Sequence, residues 1–151
     1  MLTVTLKKLL SRDLNKLKLE IESYQDEKKI WYTERNINNS AGNLCLHLVG
    51  NLKAYIGAVL GQSGYVRERD LEFSLKNIPR KQLVQSIEET VDIIHATLDR
   101  LTQEDLEAEY PVLVLAEKTS TEYLLVHLAT HLGYHLGQVN YHRRLLDQPP
   151  V

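Results

Sequence analysis

Two histidines four residues apart, His131 and His135, have the residue type and spacing best suited to chemistry in this sequence. They lie in the segment HLGYHLGQ, within a stretch whose apolar spacing predicts a helix. A helix turns by about 100° per residue, so these side chains share one face, one turn apart and about 40° off each other. Two imidazoles in this arrangement can bind one metal ion. Because such a pair can also be satisfied through water, the spacing alone leaves both interpretations open.

A third histidine, His47, lies in an earlier predicted helix, within LCLHLVGNL. If the two helices face each other, His47, His131 and His135 form a site with three nitrogen ligands and positions left for water, as in catalytic metal centres. Imidazole ligands favour zinc or nickel, with iron or manganese as further candidates. Such an ion would acidify a bound water towards neutrality, giving a hydroxide nucleophile, or would provide a place for a substrate thiolate.

Other polar residues fall near the same helix faces. Asn43 and Asn51 lie one turn before and after His47, and Gln138 and His127 lie near the histidine face of the later helix. We expect these side chains to orient a ligand or to replace one. For His127 the pattern equally permits a ligand, a partner of a ligand and a hydrogen-bonded core residue.

The remaining histidines and a set of tyrosines have ordinary explanations. His95 borders a core-facing stripe and is expected to bond a carbonyl group, whereas His142, beside two arginines, is expected to be exposed or interfacial. Three tyrosines line one flank of the later helix, about 60–80° from the direction of His131, which favours packing or a subunit interface. They are Tyr123, Tyr134 and Tyr141.

Four amphipathic helices must position these residues. The helices run from Leu6 to Tyr24, from the N-cap Ser40 to about Gly61, from Pro79 to about Leu101, and from the cap Ser120 (or Thr119) to about Leu146. We therefore predict an all-α fold, a four-helix bundle in a single domain over residues 1–151.

The predicted connections differ in length and character. Residues 25–39 read as a loop, and residues 62–78 as a polar connection long enough to cross the bundle between the second and third helices. The apolar run Val112 to Leu115 permits a short extended excursion before the fourth helix. Gly50 and Gly57 in the second helix indicate close approach of another backbone, because helical glycine costs up to about 1 kcal/mol relative to alanine.

Composition narrows the function classes. The 151 residues carry 18 Lys plus Arg against 20 Asp plus Glu, a net charge of −2 that disfavours nucleic acid as a partner. The single cysteine, Cys45, excludes a four-cysteine metal cage, and on the helical wheel it points away from His47. No window resembles a secretory signal or a membrane span, so we expect a cytoplasmic protein without a membrane partner.

The two histidine segments together resemble the DinB/YfiT-like family, which has one histidine on its second helix and an H-x-x-x-H pair, often followed by Gly-Gln, on its fourth. The loop RERDLEF, residues 67–73, looks like a mark of one uncharacterised branch. The resemblance implies a four-helix bundle with crossed connections, a divalent metal held by His47, His131 and His135, and frequent homodimers. Relatives include thiol-dependent transferases and isomerases that use low-molecular-weight thiols.

The sequence thus predicts a metal-dependent enzyme that activates water or a thiol, acting as a hydrolase or thiol transferase on a small molecule. The alternative is a non-catalytic metal-binding or interaction bundle. If the RERDLEF loop covers the site, Arg67 or Arg69 could receive an anionic substrate; otherwise the loop is a solvated charged turn.

Overall fold

In the computed structural model, residues 1–149 are described, and Pro150 and Val151 of the predicted domain lie outside this range. The described chain is all-helical, with six α-helices, one 3-10 helix and one π-helical segment. The α-helices are α1 (Leu2–Ser23), α2 (Ala41–Leu52), α3 (Arg69–Ser74), α4 (Arg80–Leu98), α5 (Gln103–Glu107) and α6 (Thr121–Leu146). The 3-10 helix spans Glu27–Trp31, and the π-helical segment Lys53–Ala58 continues α2.

The core forms where the apolar faces of the long helices meet. α1 packs against α4 and α6, and α2 packs against α6 and α4. The apolar stripe of α1 is buried almost completely, at Leu6, Leu10, Leu14, Leu17 and Ile21. Apolar spacing of this kind stabilises each helix chiefly through burial against its neighbours. The contact between α2 and α6 is the one that brings the three predicted ligands together.

Two serine caps fix where the histidine-bearing helices begin, as predicted. The Ser40 hydroxyl accepts a hydrogen bond from the backbone N–H of Asn43 at 3.2 Å, and the Ser120 hydroxyl accepts one from Tyr123 at 3.1 Å. Each cap satisfies a backbone donor that the first turn of a helix leaves free.

The predicted polar connection over residues 62–78 contains a helix, α3, which the sequence pattern did not indicate. Six residues are too few to show a helical period, and a helix this short depends on tertiary contacts. Those contacts are with α2, where the side-chain amide of Asn43 donates to the backbone carbonyls of Glu72 and Leu75, both at 2.9 Å. The part of the connection that contains α3 is therefore ordered and packs on α2.

Two other connections also differ from expectation. The loop over residues 25–39 includes the 3-10 helix, which buries Ile30. After Thr102 the chain forms α5, started by a reciprocal hydrogen-bonded cap between Thr102 and Asp105. No strand occurs within residues 1–149: the apolar run Val112 to Leu115 is not one, and the only β-type pairing in that range is an isolated bridge between Glu109 and Ser120.

The sequence predicts that another backbone approaches the two glycines of the second helix. In the structure, side chains lie against them instead. A β-carbon at Gly57 would lie 2.8 Å from Cγ2 of Ile93, and one at Gly50 would overlap the carboxylate of Glu72. Both gaps are thus filled by side chains from neighbouring helices.

None of the helices described for residues 1–149 combines the length and apolar character that crossing a bilayer requires.

Candidate metal centre

Three imidazoles converge where α2 meets α6. Nε2 of His47 lies 3.2 Å from Nε2 of His131, and the ring of His135 lies 4.6 Å from that of His131 between centroids. One nitrogen from each of the three rings lies within 4.8 Å of the other two. His47 is buried, and the other two histidines are half-buried. The structure therefore brings together the three histidines proposed as ligands from the sequence.

Two of the three rings have a hydrogen-bond acceptor on the side away from the cluster. Nδ1 of His47 lies 3.1 Å from Oε1 of Glu72, and Nδ1 of His135 lies 2.6 Å from Oε1 of Gln138. Because Glu72 and Gln138 accept, the Nδ1 that faces each of them carries the proton and the opposite Nε2 keeps its lone pair. Nη2 of Arg67 also lies 3.4 Å from Nδ1 of His47, and the shorter contact of 3.1 Å to the carboxylate is the one that orients this ring. A second partner of this kind fixes the tautomer of most metal-binding histidines.

His131 differs from the other two. Its Nδ1 is buried and has no hydrogen-bond partner within the described residues. Burial, together with repulsion from His135, His47, His127 and Arg67, lowers its pKa from 6.5 to about 4. Burial also lowers the pKa of His135. These two rings are therefore neutral near pH 7, which is the form that binds a metal ion.

The donor set fits a divalent transition metal. In a tetrahedral zinc site with Zn–N bonds of about 2.0–2.1 Å, two ligand nitrogens lie about 3.3 Å apart. The 3.2 Å between the Nε2 atoms of His47 and His131 matches this separation. Three imidazoles, two of them with an acceptor at Nδ1, therefore form a cluster that could hold a metal ion.

A carboxylate that sequence reasoning missed lies directly behind the cluster. Glu72, on α3, is 6% exposed and is bound at both oxygens by Arg67, with Nε to Oε2 and Nη2 to Oε1 both 2.9 Å. Burial alone would raise the pKa of Glu72, but the bonds to His47 and Arg67 outweigh it and lower the pKa. Glu72 is therefore ionised near pH 7. The feature of the sequence that points to a side chain here is Gly50, three residues after His47, because a glycine leaves a gap beside that histidine.

The two arginines proposed to receive an anion occupy different surroundings. Arg67 is half-buried, pairs with Glu72, and lies over the ring of Tyr55 at 5.4 Å. Arg69 is exposed and lies over the ring of Phe73 at 5.4 Å. The anion that Arg67 contacts here is a carboxylate of its own chain.

The other polar residues singled out by the sequence have distinct positions. Gln138 bonds His135 directly, whereas the hydrogen bonds of the Asn43 amide nitrogen hold α3 against α2. Asn51 is buried, and its Oδ1 has no hydrogen-bond partner within the described residues. His127 lies outside the three-nitrogen cluster and stacks on His131, with 6.2 Å between centroids and an interplanar angle of 27°.

The remaining histidines are bonded elsewhere. His95 bonds the hydroxyl of Ser11 through Nε2 at 2.6 Å, where a carbonyl partner was expected. The expectation that His142 is exposed or interfacial is wrong, because this residue is only 5% exposed. Its Nε2–H donates to the backbone carbonyl of Tyr32 at 2.8 Å, and its Nδ1 accepts from the hydroxyl of Tyr24 at 2.6 Å. The turn after α1 covers this histidine.

The tyrosine stripe on α6 faces outwards. Each of its three members, Tyr123, Tyr134 and Tyr141, is exposed. Cys45 is fully buried, and burial raises the pKa of its thiol to about 12. The thiol therefore stays protonated and apart from the cluster.

Comparison with known proteins places the chain in a family but supplies no activity. No curated protein matches it at a significant level. A family model described as "Protein of unknown function (DUF1572)" matches residues 5–149, which is nearly the whole chain and includes the three clustered histidines, Glu72 and Gln138. The protein belongs to the DUF1572 family.

Proposed function

We propose that this protein is a divalent-metal-dependent enzyme whose three-histidine centre activates water or a thiol for a reaction on a small molecule. The convergence of His47, His131 and His135, each offering a nitrogen within 4.8 Å of the others, carries the proposal. Three protein ligands leave at least one position of a four-coordinate ion for a non-protein ligand, which is typical of catalytic metal centres. The ion would supply Lewis acidity at that position, which lowers the pKa of water or of a thiol.

Hydrogen bonds to neighbouring side chains orient two of the three histidines for metal binding. The proton on Nδ1 of His47 is bonded to Glu72, and that on Nδ1 of His135 is bonded to Gln138. Arg67 balances the charge of Glu72, so this carboxylate brings no uncompensated charge into the site. The preferred ions are zinc and nickel, with iron and manganese next, because imidazole suits all four.

The proposal extends to the architecture and partners. The histidine pattern is similar to that of the DinB/YfiT-like family, which supports a four-helix bundle of α1, α2, α4 and α6 as one domain, with the α2–α4 connection crossing it. The exposed tyrosines of α6 are suited to a homodimer interface. The substrate would be a small molecule or a low-molecular-weight thiol, and the compartment the cytoplasm.

Metal analysis tests the proposal. Protein purified without a nickel column, stripped and then titrated with zinc, should bind about one equivalent, and His135→Ala should abolish this binding. His95→Ala is the matched control on α4, because His95 bonds Ser11 and lies outside the cluster. Wild-type protein that takes up none of zinc, nickel, iron(II) and manganese(II) would refute the proposed function.

A second experiment separates an enzyme from a non-catalytic metal protein. The loaded protein is assayed against a panel of small esters and amides and against thiol plus electrophile pairs, with His135→Ala as the blank. Turnover that depends on both the ion and His135 supports the enzyme. Tight binding, together with a crystal structure in which a fourth protein ligand completes the coordination, would favour the non-catalytic alternative.

A further inference from the structure

A gap in α2 lies next to the metal centre, and one carboxylate fills it. A β-carbon at Gly50 would lie 2.6 Å from Cδ of Glu72 and closer still to its Oε2. Any other residue at position 50 would therefore displace this carboxylate. Since glycine inside a helix is less favourable than alanine by about 1 kcal/mol, the placement of Glu72 is the feature that accounts for a glycine here.

A second residue fixes the carboxylate from the other side. Arg67 makes two hydrogen bonds to Glu72, one to each oxygen. The side chains of Arg67 and Glu72 are only 14% and 7% exposed, so solvent screens the pair weakly. Two-point bonding between a guanidinium and a carboxylate fixes orientation as well as position. Glu72 is therefore held in one place, with Oε1 directed at Nδ1 of His47.

The three predicted ligands have unequal support. His47 faces a carboxyl group held by two bonds from Arg67, His135 faces an amide, and Nδ1 of His131 has no partner within the described residues. A carboxylate bonded to Nδ1 makes the opposite ring nitrogen a stronger electron donor than a neutral acceptor does. Of the three predicted ligands, His47 therefore has the strongest hydrogen-bond partner at Nδ1, and the gap at Gly50 provides the space for that partner.

We propose that Glu72 is the positioning residue of the metal centre: Arg67 holds its carboxylate in the gap at Gly50, where it keeps the proton on Nδ1 of His47 and turns Nε2 towards the ion. This inference rests on the proposed metal binding and assigns a role to a residue outside the ligand set. Arg67 then serves to hold Glu72 in place, and its guanidinium is already occupied when a substrate arrives.

Gly50→Ala tests the proposal without altering either partner. The new methyl group meets only the flexible end of Glu72, so the side chain can swing out while α2 keeps its course. We expect zinc affinity, measured by chelator competition, to fall about 10–100-fold, the range typical of losing a residue that orients a metal ligand. Gly137→Ala is the matched control, because a β-carbon there meets nothing within 4 Å and the site is on α6, beside the ligands. Its zinc affinity should stay within about twofold of the wild type.

Glu72→Gln provides a second route if Gly50→Ala fails to fold. A glutamine keeps the size of the side chain, but its amide N–H groups cannot pair with the donors of Arg67. We expect weaker zinc binding and, in cobalt-loaded protein, a shift of the visible absorption bands. In metal-free protein, nitrogen NMR should find the proton of His47 on Nδ1 in the wild type and spread over both nitrogens in Glu72→Gln. A purely structural role for Glu72 would lower the unfolding temperature and leave this tautomer unchanged.

The outcomes separate this inference from the function it rests on. If wild-type protein binds no metal, the proposed function fails. If wild-type protein binds zinc and both variants bind it equally well, with His47 in the same tautomer, the positioning role of Glu72 is refuted and the metal centre stands.

Discussion

Replacing Tyr24 with phenylalanine removes one hydroxyl group from a buried hydrogen-bonded chain that has no part in the metal centre. Tyr24 is 2% exposed, and its hydroxyl donates to Nδ1 of His142, whose Nε2–H donates to the carbonyl of Tyr32. The substitution keeps the ring and its packing. It leaves Nδ1 of His142 buried without a donor.

The cost follows from that unpaired nitrogen. A buried polar atom that loses its partner destabilises the fold by about 1–3 kcal/mol. For a chain of about 150 residues each kcal/mol corresponds to about 2–4 °C, so we expect the unfolding temperature to fall by about 2–12 °C. Burial already lowers the pKa of His142, so the ring does not recover the loss by taking up a proton near pH 7. Zinc affinity should stay within about twofold of the wild type, because His142 and the metal ligands have separate partners.

Thermal and urea unfolding of metal-free protein measure this effect, with Tyr123→Phe as the control. Tyr123 is exposed on α6, so losing its hydroxyl should change the unfolding temperature by less than about 1–2 °C. An unchanged unfolding temperature in Tyr24→Phe would refute the buried chain as a source of stability. A loss of zinc binding in the same variant would show that His142 belongs to the metal centre.

Three further predictions concern other parts of the molecule. Burial and neighbouring charges lower the pKa of His131 to about 4 in the folded protein. As the pH falls, this histidine therefore becomes protonated in the unfolded state before it does so in the folded state. The stability of metal-free protein should therefore be complete above about pH 6.5 and decline towards pH 4, and His131→Gln should flatten that decline in thermal scans. Asn43→Ala removes the amide that holds the backbone carbonyls of Glu72 and Leu75, so hydrogen exchange should rise in α3 while α1 stays protected. Unchanged exchange there would contradict the role of Asn43. Cys45, buried and with its pKa raised to about 12, should react with a thiol reagent only in denaturant, and rapid labelling of the native protein would refute its burial.

The parts of the site that a single helix determines could be predicted from the sequence. His131 and His135 share a face because of their spacing, and the serine at position 120 marks where their helix begins. His47 required the further assumption that α2 faces α6, which the packing of those helices confirms. The long helices were predictable for the same reason, since an apolar stripe repeats several times in each.

The rest depends on contacts between distant segments. Glu72 lies on a helix too short to show a period, and its position depends on Gly50 and Arg67 from two other segments. The two arginines that follow His142 predict an exposed or interfacial residue, whereas its burial comes from Tyr24 and the turn after α1. The sequence pattern of a helix shows which of its faces are apolar. It does not show which distant segment packs against those faces.

The two halves of the candidate metal centre are far apart in the chain: His47 and His131 are separated by 84 residues in sequence. An ion held by both would join segments that move independently in the unfolded chain, and it would bind the folded form alone. The free energy of unfolding would then rise by about 1.4 kcal/mol for each tenfold excess of free ion over its dissociation constant. If the proposed metal binding holds, supply of the metal would thus also affect the protein's lifetime, because chains folded without the ion would open more often and would be degraded sooner.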